Sequence, residues 1–375
     1  MDKQINLAVA GAGKTYFICH SINLGERNLI LAFTHENIHN IRKELLIAYG
    51  CIPTKTTILT FDAFVYRFFV CPYEPTIKTF FKCDTFLIKG ITTSSPPPNI
   101  IKKGGRCFHN PYYINKDCFG HYVDQFGYYY CSRLSEMIMF MDAKKNKILK
   151  RATNRLNLFF DKVLIDEFQD FREFDFELII SISYILNNIL LVGDYYQHSV
   201  SAINNSGKPF KAGKTDVTYA DFVKELKKLH FKIDDTSLNK SRRCSDNVCS
   251  FVKEKLGINI ESDGKNNGNV LWIEDEEKLI SYLDNRSLLK LVFRDSERFS
   301  FNSMNWSYSK GDTFNEVCVI LTDNFESLDK DDFSVDGIPI STVNKLYVAL
   351  TRTKGNLYLV KNSLFRKVSE QYFRK

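Results

Sequence analysis

Ile5-Asn6-Leu7-Ala8-Val9-Ala10-Gly11-Ala12-Gly13-Lys14-Thr15 is the stretch that decides the fold. Ile5 to Val9 is a short apolar run that enters a turn of small residues. Thr15 to Asn23 then has the composition of a helix. Strand, Gly-rich loop and helix in that order match the phosphate-binding loop, with Ala8 in place of the usual first Gly. Small residues at Ala8, Gly11, Ala12 and Gly13 let backbone N–H groups wrap a phosphate at a helix start. Lys14 would neutralise β- and γ-phosphates, and Thr15 would ligate Mg²⁺.

Working outward, Leu29 to Phe33, Thr56 to Thr60, Lys162 to Ile165 and Ile189 to Val192 read as strands, with a helix over Ile38 to Ala48. Continuous rather than alternating apolar strands, separated by helices, predict a parallel α/β sheet covered on both faces. A second set of strands at Val317 to Leu321 and Leu357 to Val360, with a helix near Lys345 to Thr351, predicts a second sheet-forming half beyond about Asp235. Residues 66–150 break the pattern and read as an inserted subdomain, with a mobile loop around Thr92 to Gly105. The expected organisation is therefore a first domain at 1–65 and 151–235, the insertion at 66–150, and a second domain at 236–375. Asn204 to Lys214 reads as a loop.

The chain has 375 residues, a formal net charge of +7, 44% hydrophobic and 25% charged residues. This is a globular balance, mildly basic and compatible with a polyanionic partner. No apolar run is long enough to span a bilayer and no signal peptide precedes the loop, so a cytoplasmic protein with reduced, buried thiols is expected. Cys107, His109, Cys118, His121 and Cys131 cluster in the insertion. A structural zinc site and simple buried thiols are both open there, the spacings matching no familiar zinc pattern. Ala143 to Arg151 has no helix breaker and carries Lys144, Lys145, Lys147, Lys150 and Arg151. Its basic face reads either as a phosphate contact or as a solvated helix.

Val163-Leu164-Ile165-Asp166-Glu167 is an apolar strand ending in two carboxylates. Asp166 can hold Mg²⁺, and Glu167 can orient and deprotonate an attacking water. Asp166-Glu167-Phe168-Gln169-Asp170, followed by Val192-Gly193-Asp194-Tyr195-Tyr196-Gln197, resembles the ATP site of the UvrD/Rep-like superfamily 1 helicases. The resemblance continues in family order. It runs through Phe33-Thr34-His35, Thr60-Phe61-Asp62-Ala63-Phe64, Leu238 to Cys244, Ser309-Lys310-Gly311-Asp312-Thr313-Phe314, and Tyr347-Val348-Ala349-Leu350-Thr351-Arg352-Thr353-Lys354.

That resemblance implies two RecA-like parallel-sheet domains, the first carrying an inserted subdomain. It implies ATP as substrate, Mg²⁺ as cofactor, and single-stranded DNA as partner, with RNA not excluded. It makes Gln197 the γ-phosphate sensor, Arg243 a γ-phosphate contact and Arg352 the arginine finger. Thr34, Phe61, Phe64, Tyr196 and Trp306 would face the nucleic acid, with Tyr195 beside them, and each of the five rings reads equally as a core residue, so that two or three of them are expected at the strand. Arg242 replaces the Tyr that stacks on the base, and a guanidinium can stack on a purine too. Ser241 replaces the family's Asn, Thr313 its Glu, and the seven residues before Ala8 hold no segment assignable to adenine recognition. The second half has only Cys244 to Tyr308 between its motifs, so its accessory insertion is reduced or missing. Movement toward the 5′ end of the bound strand is implied. The alternative reading is an ATPase switch that senses nucleic acid and controls a partner nuclease, as in a genome-defence system. A small-molecule kinase leaves Gln197, Arg243 and Arg352 unexplained.

Overall fold

The computed structural model describes residues 2–84, 87–198, 209–212 and 215–374. Eleven of its strands form two parallel sheets, with short two-stranded pairings besides, giving an α/β protein as the continuous apolar runs predict. In the first sheet are β1 (Asp2–Ala8), β2 (Asn28–Ala32), β3 (Thr56–Thr60), β4 (Lys162–Asp166), β5 (Asn188–Gly193) and β6 (Lys232–Leu238), in the order β6-β1-β5-β4-β2-β3. The second holds β7 (Val270–Ile273), β8 (Leu289–Val292), β9 (Ser303–Asn305), β10 (Val317–Ile320) and β11 (Leu357–Val360), in the order β7-β11-β10-β8-β9. All residues of β2, β8, β10 and β11 are buried, as strands covered on both faces require. Among the described residues no helix is long and apolar enough to cross a membrane.

The chain divides into two compact units. One comprises Met1–Lys3, Ile18–Asp166 and Phe171–Leu191; the other comprises Gln4–Phe17, Glu167–Asp170 and Val192–Lys375.

In the first unit, β2 pairs in parallel with β3 and β4. Helix α1 (Lys14–His20) begins in the phosphate-type loop and runs into this unit. Helix α2 (His35–Tyr49) is N-capped by Thr34, whose hydroxyl accepts from the Asn37 N–H at 3.1 Å, and buries Ile41 and Leu45. Helices α3 (Leu134–Ala143), α4 (Ile148–Phe159) and α5 (Glu173–Ser183) also belong to this unit. The Ala143 to Arg151 stretch is not one helix. Lys145 adopts φ 63° between α3 and α4, so the five cations sit around a break and form no continuous face. The expected loop at Thr92 to Gly105 is also different in form. Ile100–Lys103 and Arg106–His109 pair antiparallel across Gly104 and Gly105, whose φ values of 57° and 75° suit a tight hairpin turn.

The ten cysteines are all free, but Cys51, Cys71, Cys107 and Cys118 are exposed, which corrects the expectation of uniformly buried thiols. Both ring nitrogens of His121 have protein partners. Its Nδ1 lies 2.6 Å from the Ile114 carbonyl and its Nε2 faces Glu136, and among the described residues no group of three or more ligands converges.

In the second unit, β1 from Gln4 onward pairs in parallel with β6. Helices α6 (Tyr219–Lys228), α7 (Asp246–Leu256), α8 (Glu276–Asp284), α9 (Ile340–Leu350) and α10 (Asn362–Val368) flank the strands. Leu279, Leu283, Phe299, Ile320, Val360 and Phe365 lie in one core cluster of this unit. Of the expected loop at Asn204 to Lys214, only residues 209–212 are described, and Lys211–Ala212 pairs antiparallel with Thr215–Asp216. The rest of that loop lies outside the described residues.

Candidate functional site

The turn after β1 is shaped for close approach. Gly11 has φ 74°, and a Cβ there would fall 2.7 Å from Arg243 Cβ and 2.8 Å from Ser241 Oγ. Gly11 also accepts a hydrogen bond from the Arg242 N–H at 2.9 Å. The loop and the Ser241-Arg242-Arg243 segment are thus packed backbone to backbone within one unit. Arg242 lays its guanidinium 4.4 Å from the centre of the Tyr16 ring, and both side chains are exposed.

Lys14 is buried, and its ammonium lies 3.3 Å from Glu167 Oε1. Glu167 holds φ 55°, a left-handed conformation that costs a non-glycine residue about 1–3 kcal/mol and is found mainly where function requires it. Burial pushes the Glu167 carboxyl up, but the ammonium groups of Lys14 and Lys310 outweigh it and hold it below its ordinary value. Glu167 is therefore kept ionised. The Gln169 amide donates to Glu167 Oε2, and Gln169 Oε1 accepts the Asp194 N–H at 3.0 Å. Lys310 pairs with Asp170. For Asp170 burial wins over Lys310, and its carboxyl is raised.

Asp194 organises the next layer. Its Oδ2 accepts from Gln197 Nε2 at 2.8 Å and from the Tyr347 hydroxyl at 3.3 Å, while Oδ1 caps the Tyr196 N–H at 3.0 Å. The Tyr347 hydroxyl in turn accepts the Ala10 N–H of the loop at 2.7 Å. A chain of hydrogen bonds thus runs from the phosphate-type loop through Tyr347 to Asp194 and Gln197. Burial raises the Asp194 carboxyl to about 6, against the opposing pull of Lys14 and Gln197. A raised acid binds its proton more tightly folded than unfolded, so its contribution is complete below pH 3.8 and is lost as pH rises through 6. Urea denaturation of the parent and of Asp194→Asn should therefore show the parent's relative advantage shrinking by up to about 3 kcal/mol between pH 4 and 7. A gap independent of pH would show that Asp194 is not the buried acid.

Arg243 is half-buried and donates to the Thr351 carbonyl at 3.0 Å. Arg352 is fully buried, donating through Nε to the Val348 carbonyl at 2.8 Å and through its amino groups to Ser309 O, Asp312 O and Thr351 Oγ1. Burial first, then the Arg243 charge, work against its protonated form. Lys14, Glu167, Gln197, Arg243 and Arg352 are thus gathered in one unit. Asp166, which ends β4 and is buried, belongs to the other unit, and Thr15 to the same unit as Lys14.

The rings read as nucleic-acid contacts divide. Phe61 and Phe64 are core side chains in the first unit, where Phe61 packs on Phe33 and Phe171 at centroid distances of 5.7 and 5.0 Å. Trp306 is equally buried, its Nε1 donating to the Leu291 carbonyl at 3.0 Å. As folded, these three offer no ring face to a ligand. Tyr195 is buried as well, against Phe222 at 5.0 Å. Thr34 is exposed, and Tyr196 is half-buried with its ring stacked on Tyr219 at 5.5 Å. Tyr16, Gln169, Asp194, Lys310 and Tyr347 were given no role by sequence reasoning. All but Tyr16 stand inside the motifs quoted above, which is the signal that marks them.

Gly193, at the end of β5, is required by space. A Cβ there would meet Gln169 Oε1 and lie 2.6 Å from Phe168 Cδ1, whose ring stacks with Phe222. Gly193→Ala should destabilise the fold by about 1–3 kcal/mol through overpacking, read as a lowered Tm. An unchanged Tm would mean that Gln169 is free to move.

Two parallel sheets, six- and five-stranded, with a phosphate-type loop after the first strand, make this an α/β protein consistent with two RecA-like domains. No protein-family model matches the sequence, and no curated protein sequence does. Among solved structures, the chain is similar to the PRRSV helicase at 12% identity and TM-score 0.46, over 99% of this chain and 54% of that one. It is similar to the arterivirus nonstructural protein 10 helicase at 11% identity and TM-score 0.47, over 97% of this chain and 61% of that one. The same arterivirus helicase in complex with DNA gives 12% identity and TM-score 0.48, over 97% and 62%. The chain thus spans less than two thirds of the length of these helicases. The architecture rests on the strand order of the two sheets rather than on these likenesses.

Proposed function

We propose that this chain is an ATP-dependent helicase or translocase of superfamily 1, UvrD/Rep-like in its site, acting on single-stranded nucleic acid. One observation carries the reading. The loop that would cradle the phosphates, the ionised Glu167 beside Lys14, the Asp194–Gln197 pair, and Arg243 and Arg352 from the far end of the sequence all meet in one unit. Phosphoryl transfer needs a positioned base and positive charge on the γ-phosphate as negative charge builds there. Lys14, Arg243 and Arg352 are the cations in this assignment, Glu167 the base, and Gln197 the sensor. Thr15 and Asp166 offer hard oxygen donors of the type that suits Mg²⁺. Mg²⁺ would supply charge neutralisation on the β- and γ-phosphates. Arg242, whose guanidinium lies over the exposed Tyr16 ring and beside Gly13 of the loop, is assigned the nucleotide base. Thr34 and Tyr196 remain the assigned nucleic-acid contacts.

The test is the hydrolysis rate with and without single-stranded DNA, followed by strand displacement. Stimulation together with displacement or directed movement supports the reading. Stimulation without either points to the switch that governs a partner nuclease. Hydrolysis indifferent to nucleic acid would sink both.

A further inference from the structure

At the amino-terminal ends of β8 and β10 the second unit holds a cavity of about 660 Å³, within the size range of small-molecule sites. None of the residues assigned to the nucleotide lines it, and among the described residues on its wall there is no Lys, Arg or His. A phosphate or any other anion would meet no counter-charge there. The wall does carry one carboxylate, Glu316, and its Oε1 accepts from the Asn356 amide at 2.8 Å and from the Tyr358 hydroxyl at 3.2 Å. Asn356 is itself fixed, its Oδ1 accepting the Asn269 N–H at 3.0 Å. Burial, joined by the Glu316 charge, pushes the Tyr358 hydroxyl up to about 12, so at neutral pH it stays a donor. The carboxylate is thus held through one oxygen. Among the described residues its Oε2 has no partner, and Glu316 enters no ion pair. On the same wall Tyr282 of α8 meets Tyr358 of β11 edge to face, with ring centroids 4.7 Å apart. The face of each ring is negative, which favours a cation as the carboxylate does.

A tethered carboxylate with one oxygen open, two aromatic rings and neutral hydrogen-bonding groups together suit a ligand that offers donors and positive charge. A bare divalent ion is a poor match, since hard cations take several oxygen ligands and a single carboxylate supplies at most two. An ammonium group has three donors and no acceptor, and its aliphatic stem packs against ring surfaces. The cavity is also far larger than one ammonium needs. We propose that it binds an aliphatic polyamine, with one ammonium on Glu316 Oε2 beside the Tyr282–Tyr358 pair. The further N–H groups meet the side-chain oxygens of Ser281 and Asn315, which have no hydrogen-bond partner among the described residues. Such binding depends neither on ATP hydrolysis nor on nucleic acid.

The experiment is calorimetric titration of the full chain with spermidine, without nucleotide or nucleic acid, beside Glu316→Gln, Tyr282→Leu and Glu276→Gln. Glu316→Gln removes the charge but keeps an acceptor for Asn356 and Tyr358, and should weaken binding about five- to tenfold. Tyr282→Leu keeps apolar bulk and loses the ring face, and should weaken it about two- to fivefold. Glu276 is exposed on the same helix, pairs with Lys367 and does not line the cavity, so Glu276→Gln should match the parent. Thermal melting of each variant shows that it is folded, and should either fail to fold, the other carries the comparison. A parent that does not bind spermidine would overturn the proposal. So would a Glu316→Gln affinity equal to the parent's, or an equal loss in Glu276→Gln, which would make the binding a general attraction to surface carboxylates. Spermidine bound as expected by a chain that hydrolyses no ATP would leave this site standing and refute the function proposed above.

Discussion

Glu167→Gln is expected to lower kcat for ATP hydrolysis by about 10²–10⁴-fold, the range a positioned general base supplies, while leaving ATP binding nearly intact. The substitution is isosteric and keeps an acceptor for the Gln169 amide. What it removes is the negative charge 3.3 Å from Lys14, and with it the capacity to take a proton. In the parent, Lys14 and Lys310 hold that carboxyl below its ordinary value, so the base is ionised at neutral pH. Releasing Lys14 from its partner should if anything tighten nucleotide binding, because the ammonium no longer has to leave an ion pair to reach a phosphate. Single-turnover hydrolysis and equilibrium binding of a labelled nucleotide separate the two effects. Equal losses in binding and turnover would mean that Glu167 merely holds Lys14 in place. A hydrolysis rate equal to the parent's would remove it from the chemistry.

Much of the fold and of the site is written in the motif residues themselves. The runs Leu29 to Phe33, Val163 to Ile165 and Leu357 to Val360 are strands because parallel strands covered on both faces must be apolar throughout. β6, β7 and β9 escaped notice for the converse reason. They are the edges of their sheets, and β6 in particular is mostly polar and solvent-facing. β8 was hidden by Lys290, an internal lysine that is fully buried because its ammonium reaches the Asn285 carbonyl at 2.5 Å. In the site, Lys14, Glu167 and Gln197 were readable because each stands at a fixed offset from a strand end. The Ala10–Tyr347 and Lys310–Asp170 contacts join residues more than a hundred positions apart, and no local pattern encodes them. Phe61, Phe64 and Trp306 show the opposite limit. An aromatic ring beside a motif looks the same in sequence whether it packs inward or faces a base.

Arg352→Ala should reduce kcat by about 10³-fold or more, as loss of an arginine finger does, but its burial means that the variant must be judged against its own stability. The guanidinium answers the Val348, Ser309 and Asp312 carbonyls and the Thr351 hydroxyl; on truncation Ser309 O keeps the Asp312 N–H and Val348 O the Thr351 hydroxyl, while the Asp312 carbonyl and the acceptor side of the Thr351 hydroxyl lose this donor. Each such buried group costs about 1–3 kcal/mol, enough to lower Tm by several degrees without touching chemistry. The decisive comparison is therefore Arg352→Lys beside Arg352→Ala, both assayed well below their melting temperatures. A lysine restores the charge but not the fork of donors. If Arg352 acts on the γ-phosphate, both variants should lose kcat with KM for ATP little changed, and lysine should recover part of the rate. If the arginine only ties α9 to the Ser309–Asp312 turn, kcat of the folded fraction should be that of the parent in both, with only Tm affected. That second result would remove Arg352 from the assigned site and leave Arg243 as the cation that the far end of the sequence brings to the nucleotide.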